Sequence, residues 1–179
     1  VKKTKKTNAM LIVGVFVVAI ALTIGCIDEK EEMDEIKTVI VYVNTDDDFS
    51  QYAALGAAFD LKANKKIENV AIFYGPGGID VTTKGSLAEY KLTSTIKEIL
   101  ANQYPDVLTV EMLPDDLESL ARFLNSELGV KFYCCGTFCM VTEEVTTIDE
   151  LKDVEDFITP LKVSDALDAG LNADKVIWL

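Results

Sequence analysis

Residues 129–141 read GVKFYCCGTFCMV, and the rest of the body falls into place around them. Gly129 ends the segment before it, and Val130 to Gly136 reads as a strand of mixed aliphatic, aromatic and cysteine residues. Strand alternation sends Phe132 and Cys134 to one face and Tyr133 and Cys135 to the other. Cys135 is then the last strand residue, and Gly136 and Thr137 turn the chain just beyond it. A strand that runs straight into a turn is one half of a strand-to-helix unit, and the neighbouring segments carry the other halves.

Upstream, Lys37 to Val43 (KTVIVYV), Val70 to Tyr74 (VAIFY) and Val107 to Met112 read as strands; downstream, Lys175 to Leu179 is the last. Between them, Gln51 to Lys66 carries Tyr52, Leu55, Ala58 and Phe59 at helical spacing, with Ser50 placed to cap it. Leu87 to Tyr104 reads as a second helix stopped before Pro105. A third begins at Pro114, with Asp115, Asp116 and Glu118 near its positive end, and runs to Leu128. Thr147 and Glu150 form a capping box for a short helix, and Ser164 to Gly170 is another. Alternating strands and helices predict an α/β fold, a three-layer α/β/α sandwich on a mostly parallel sheet of about five strands. Ligands meet such sheets at the strands' carboxyl ends. Three of these ends are distinctive: Asn44 to Asp48, Gly75 to Asp80, and Cys134 to Cys139.

The chain has 179 residues, which suits one domain with a real core. Ala9 to Ile27 carries no charge and is long enough as a helix to approach the hydrocarbon thickness of a bilayer. Lys2, Lys3, Lys5 and Lys6 precede it, and an acidic run from Asp28 follows. This asymmetry predicts a cytoplasmic N-terminus and a body facing outward from the cell membrane, tethered through residues 9–27. Residues 1–27 are therefore read as a signal anchor or lipoprotein signal segment, 28–36 as a charged stalk, and 37–179 as the domain. Leu22 to Cys26 partly matches a lipobox, which makes Cys26 a candidate lipidation site.

The formal charge is −13, and setting aside the four leading lysines leaves −17 on the remainder. An acidic body of that kind repels phosphate backbones, so nucleic acid is not an expected partner. With no histidine, Ser-His and Cys-His catalytic pairs are excluded. With Arg122 the sole arginine, so is a multi-arginine anion clamp. Gly75 to Gly78 (GPGG) lacks the Gly-Lys-Ser/Thr ending of a nucleotide loop and reads as a tight turn. Asp46 to Asp48 reads as a solvated acidic turn, and adjacent Cys134 and Cys135 point apart, against a zinc site. No cofactor or resident metal is expected. The chemistry then rests on cysteine. A helical turn beginning beyond Cys135 would favour its thiolate, and Cys139, one turn on, would come within reach of a disulfide with it.

The order strand, helix, strand-GPGG, helix, strand-Leu-Pro, helix, then residues 128–136 (LGVKFYCCG) and 173–177 (ADKVI), resembles the DsrE/DsrF-like family over roughly residues 37 to 179. The resemblance implies a parallel sheet sandwiched by helices and a homo-oligomer. In some members it also implies a cysteine that carries sulfane sulfur as a persulfide, matched here by Cys135. A sulfur donor or acceptor protein is the partner this implies. The chain departs from the pattern at Glu143 and Glu144, where many members carry glycine, and the family's sulfur relays are cytoplasmic. Three readings follow: sulfur handling through Cys135, thiol-disulfide exchange through Cys135 and Cys139, and a binding or assembly module without chemistry. A carrier or binding protein is favoured over a turnover enzyme.

Overall fold

The computed structural model describes residues 36–179. The expected anchor with Cys26, and the stalk up to residue 35, lie outside the described residues. Among the described residues no helix is long and apolar enough to cross a membrane.

Five strands form one parallel sheet: β1 (Thr38–Val43), β2 (Asn69–Tyr74), β3 (Lys131–Cys135), β4 (Ile158–Leu161) and β5 (Lys175–Trp178), in the spatial order β4-β3-β2-β1-β5. The helices are α1 (Asp48–Ala63), α2 (Ser94–Gln103), α3 (Leu117–Ser126), α4 (Gly136–Thr142) and α5 (Val163–Leu171). The expected α/β sandwich is therefore the fold observed. The chain steps outward from β1 to β4, then returns across the sheet through α5 to place β5 on the free side of β1. A right-handed return in that reversed direction carries α5 to the face opposite α1.

The two faces are buried unequally. Val39, Val41, Val43, Val70, Ile72, Tyr74, Phe132, Cys134 and Ile158 share one face and are all buried. There α1 packs on β1 and β2, and α3 packs on α1. Helix α3 contributes Leu117, Leu120, Ala121 and Leu124, the i, i+3, i+4, i+7 spacing of an amphipathic helix. On the opposite face Ile40, Phe73 and Cys135 are buried, but Tyr42, Tyr133 and Val176 are only partly covered. A row of rings crosses that face. Tyr42 stacks on Phe73 at 5.5 Å between centroids, and lies 4.4 Å from the Trp178 ring on its other side.

Several boundaries differ from the sequence reading. Val107 to Met112 is not a strand: Val110–Met112 is a single 3-10 turn, and β3 occupies the place beside β2. The strand that completes the sheet is Ile158–Leu161, which the sequence reading passed over. It is short and contains Pro160, which has no N–H to give a ladder and is tolerated because β4 is an edge. Leu87 to Tyr104 is broken into a 3-10 turn at Leu87–Glu89 and the helix α2. Between them Leu92 N–H donates to the Asp115 carbonyl at 2.9 Å, and Leu117 N–H to the Tyr90 carbonyl at 3.0 Å, which holds the chain extended.

The caps shift likewise. Asp47, not Ser50, caps α1: its carboxylate accepts the Ser50 N–H at 3.1 Å and the Ser50 hydroxyl at 2.8 Å. Asp116 caps α3 by accepting the Ser119 N–H at 2.9 Å, so that helix starts three residues beyond Pro114. The Thr147–Glu150 capping box is present, on a 3-10 turn.

Candidate functional site

The three body cysteines lie where β3 passes into α4. Cys135 is the last residue of β3 and the residue before the first turn of α4, as the turn chemistry of Gly136 predicts. Glycine is needed there, since a Cβ at Gly136 would stand 2.9 Å from the Leu161 carbonyl oxygen and 3.0 Å from the Ile148 side chain. The tight passage of strand into helix thus depends on a residue without a side chain.

Alternation separates the sulfurs. Cys134 is fully buried on the face under α1 and α3. Cys135 is 9% exposed and lines a groove on the other face. Cys139, 3% exposed, comes to Cys134: the two sulfurs are 3.3 Å apart, and both thiols are free. Spacing alone predicts that Cys139 meets Cys135. One helical turn from Gly136 instead carries Cys139 around to the inner side of the sheet, where Cys134 already points.

The groove that Cys135 lines has a volume of about 530 Å³. Its floor is sheet: Ile40, Tyr42, Phe73, Val176 and Trp178. Its walls are Pro76, Phe138 and the α5 residues Val163, Ala166, Leu167, Gly170 and Leu171. Val163, Leu167 and Leu171 recur every four residues along α5 and stay exposed, as do Phe138 in the wall and Trp178 at the outer end of the floor. Such contiguous apolar exposure marks a contact or ligand surface. The i, i+4, i+8 spacing of Val163, Leu167 and Leu171 was present in the sequence and would have pointed to this helix; the aromatic floor, drawn from three separate strands, was not visible there.

Tyr42 gives the groove its polar contact. Burial first, and then electrostatic interaction with Cys135, push the Tyr42 phenol above its ordinary pKa. It stays protonated at neutral pH, and its ring lines the same groove as Cys135. The Gly75–Gly78 turn makes room for it. A side chain at Gly75 would collide with the Tyr42 hydroxyl and with Asn44, whose side-chain oxygen accepts the Gly77 N–H at 3.0 Å. The turn is a packing device at the end of β1.

Asp46, Asp47 and Asp48 do not converge: Asp47 is spent on the α1 cap, and the Asp46 backbone carbonyl accepts the Tyr90 hydroxyl at 2.9 Å. Among the described residues no three His, Cys, Asp or Glu side chains gather as a metal set.

No protein-family model matches the chain, and no curated protein sequence matches it. Among solved structures, the YchN protein from E. coli is similar at a TM-score of 0.52 and 16% identity, covering 80% of this chain and 99% of YchN. At that identity the likeness speaks for architecture alone. The body of the chain has the five-stranded α/β sandwich of the DsrE/DsrF-like fold.

Proposed function

We propose that this DsrE-like body is a sulfane-sulfur carrier that holds one sulfur atom as a persulfide on Cys135. The supporting observation is the place of that thiol, at the carboxyl end of β3, lining an apolar groove that Tyr42 also lines. The Cys135 thiolate attacks the outer sulfur of a donor persulfide. A new S–S bond forms at Cys135, the donor's S–S bond breaks, and the donor leaves as a thiolate. Delivery reverses the step: an acceptor nucleophile takes the outer sulfur and Cys135 leaves as thiolate. The mostly apolar lining of the groove limits water around the charged sulfur, with the Tyr42 phenol among the residues that line it. Incubation of the chain with polysulfide is expected to add about 32 Da, one sulfur atom, and Cys135→Ser to abolish the adduct. An adduct that persists in Cys135→Ser overturns the assignment.

The exposed rim supports a second element of this reading, a homo-oligomer. Phe138, Val163, Leu167, Leu171 and Trp178 form an apolar surface on an otherwise strongly acidic chain. A second copy carries the same apolar surface and can cover it by self-complementary contact. A bound partner supplying or receiving the sulfur would meet the same side.

In this reading residues 9–27 tether the body to the outer face of the cell membrane, as the lysines before that segment and the acids after it support. Protease added to intact spheroplasts should then digest the body; full protection would place it inside. The thiol-disulfide reading through Cys135 and Cys139 is disfavoured by the contact of Cys139 with Cys134.

A further inference from the structure

Two thiols of this body play no part in the groove. Cys134 and Cys139 approach to 3.3 Å between sulfurs, both buried, with Thr82, itself buried, on the same side. A disulfide bond is about 2.05 Å long, so the sulfurs need to close by only roughly 1 Å. Cys139 lies in a helix of seven residues, which can shift by that much more readily than a core strand.

We propose that Cys134 and Cys139 are a peroxide-responsive dithiol, oxidised reversibly to a disulfide on the inner face of β3, chemically separate from the Cys135 groove. Cys139 is the attacking sulfur. Its thiolate attacks one oxygen of hydrogen peroxide, the O–O bond breaks, and Cys139 becomes a sulfenic acid while hydroxide takes up the proton Cys139 had lost. The Cys134 sulfur then attacks the Cys139 sulfur, the S–S bond forms, and water leaves. Two thiols lose two electrons and two protons in all, and one peroxide becomes two waters. A small oxidant suits the site, because little of either sulfur is open to solvent.

The electrostatics agree with this order of events. The hydrogen bond from Cys134 lowers the Cys139 pKa, with Thr82 helping and with burial and Glu143 opposing. The same contact with Cys139, then burial, raises the Cys134 thiol. One proton shared between two sulfurs favours a thiolate at Cys139.

Trypsin cleavage after Lys131 and Lys152 releases residues 132–152, which hold all three body cysteines. In the full chain carrying Cys135→Ala, only the proposed pair remains in that peptide. The folded protein is treated with hydrogen peroxide, then denatured so that every remaining thiol is alkylated, and digested. The expected peptide carries no alkyl group, is lighter by about 2 Da than its dithiol form, and regains two alkylation sites after dithiothreitol. Two alkylated thiols after peroxide, or sulfinic acid on Cys139 without a link, overturn the proposal. The native chain, treated alike and fragmented, guards against misfolding of the variant. It should show the 134–139 link with Cys135 alkylated, and a link to Cys135 instead is equally fatal. The persulfide reading is scored separately by its added sulfur on Cys135, so either idea can fail alone.

Discussion

Arg122 donates from Nη2 to the carboxylate of Glu155 at 2.8 Å, and that glutamate is only 4% exposed. The other Glu155 oxygen accepts the Gly85 N–H at 2.6 Å. The guanidinium also binds Glu118 at 2.9 Å and Asp156 at 2.6 Å, and lies 4.7 Å over the Phe157 ring. One side chain therefore joins α3, the segment before β4, and through Glu155 the turn at Gly85. Arg122→Ala leaves a buried carboxylate without its cation and is expected to destabilise the fold by about 2–3 kcal/mol. Arg122→Lys should recover only part, because an ammonium cannot serve three acceptors in a planar fork. Urea denaturation reads both, and an unshifted midpoint in Arg122→Ala refutes the account.

Asp174 anchors the start of β1 from the segment before β5. Its carboxylate accepts the N–H of Lys37 and of Thr38, each at 2.8 Å. Those two N–H groups, with the Lys37 charge, hold its pKa below the ordinary aspartate value. The folded state therefore binds fewer protons here than the unfolded chain. The stability this contact supplies is complete above the unfolded aspartate pKa and drains away as the pH falls through it and on through the lower folded value. Asp174→Ala should flatten that part of the acid limb in denaturation curves between neutral and strongly acid pH. Parallel curves for the two proteins would show the carboxylate has no such role.

Tyr74 ends β2 with a hydroxyl that is fully buried and has no hydrogen-bond partner among the described residues. Burial, with lesser contributions from Tyr90 and Cys134, drives its pKa well up, so the group is a neutral phenol at every working pH. An unsatisfied polar atom costs its desolvation without return. Tyr74→Phe is expected to be neutral or to stabilise by up to about 1 kcal/mol. By contrast Leu124→Ala, a pure loss of packing in α3, should cost about 2–5 kcal/mol. A loss in Tyr74→Phe approaching that of Leu124→Ala would show that the hydroxyl has found a partner.

Leu167 and Leu171 stand out from α5 with most of their surface exposed, Leu171 at 82%. If they cover one another across two copies, the double substitution Leu167→Asp and Leu171→Asp should yield a monomer whose circular dichroism is unchanged. Trp178, 67% exposed and the sole tryptophan, reports the same event: its emission should move to the red as the groove rim opens to water. Scattering that gives the same mass for both proteins removes the oligomer from the reading.

Strand identity was legible where β-branched runs were long, as in Thr38–Val43, because a buried parallel strand announces itself as continuous aliphatic sequence. It was illegible at Ile158–Leu161, where four residues and a proline leave no pattern and only the vacant edge of β3 explains the strand. Val107 to Met112 failed in the opposite way, apolar enough to suggest a strand although it joins no strand of the sheet and only Val110–Met112 forms a 3-10 turn. Cap positions erred by a turn because Asp47 and Ser50 both suit a helix start, and side-chain geometry decides between them. The end of β3 was read correctly, since alternation alone opposes Cys134 and Cys135. The partner of Cys139 was not, because the rotation of a helix about its axis depends on what it packs against.

The pleat of β3 has one further effect. Adjacent residues share a peptide bond, yet their sulfurs open into different solvents, one a greasy trough in contact with the exterior and the other a sealed interior. Bulky electrophiles should find the first and miss the second, while small neutral oxidants can enter both. Two neighbouring positions can thus answer different chemical signals with no wall between them but the strand itself.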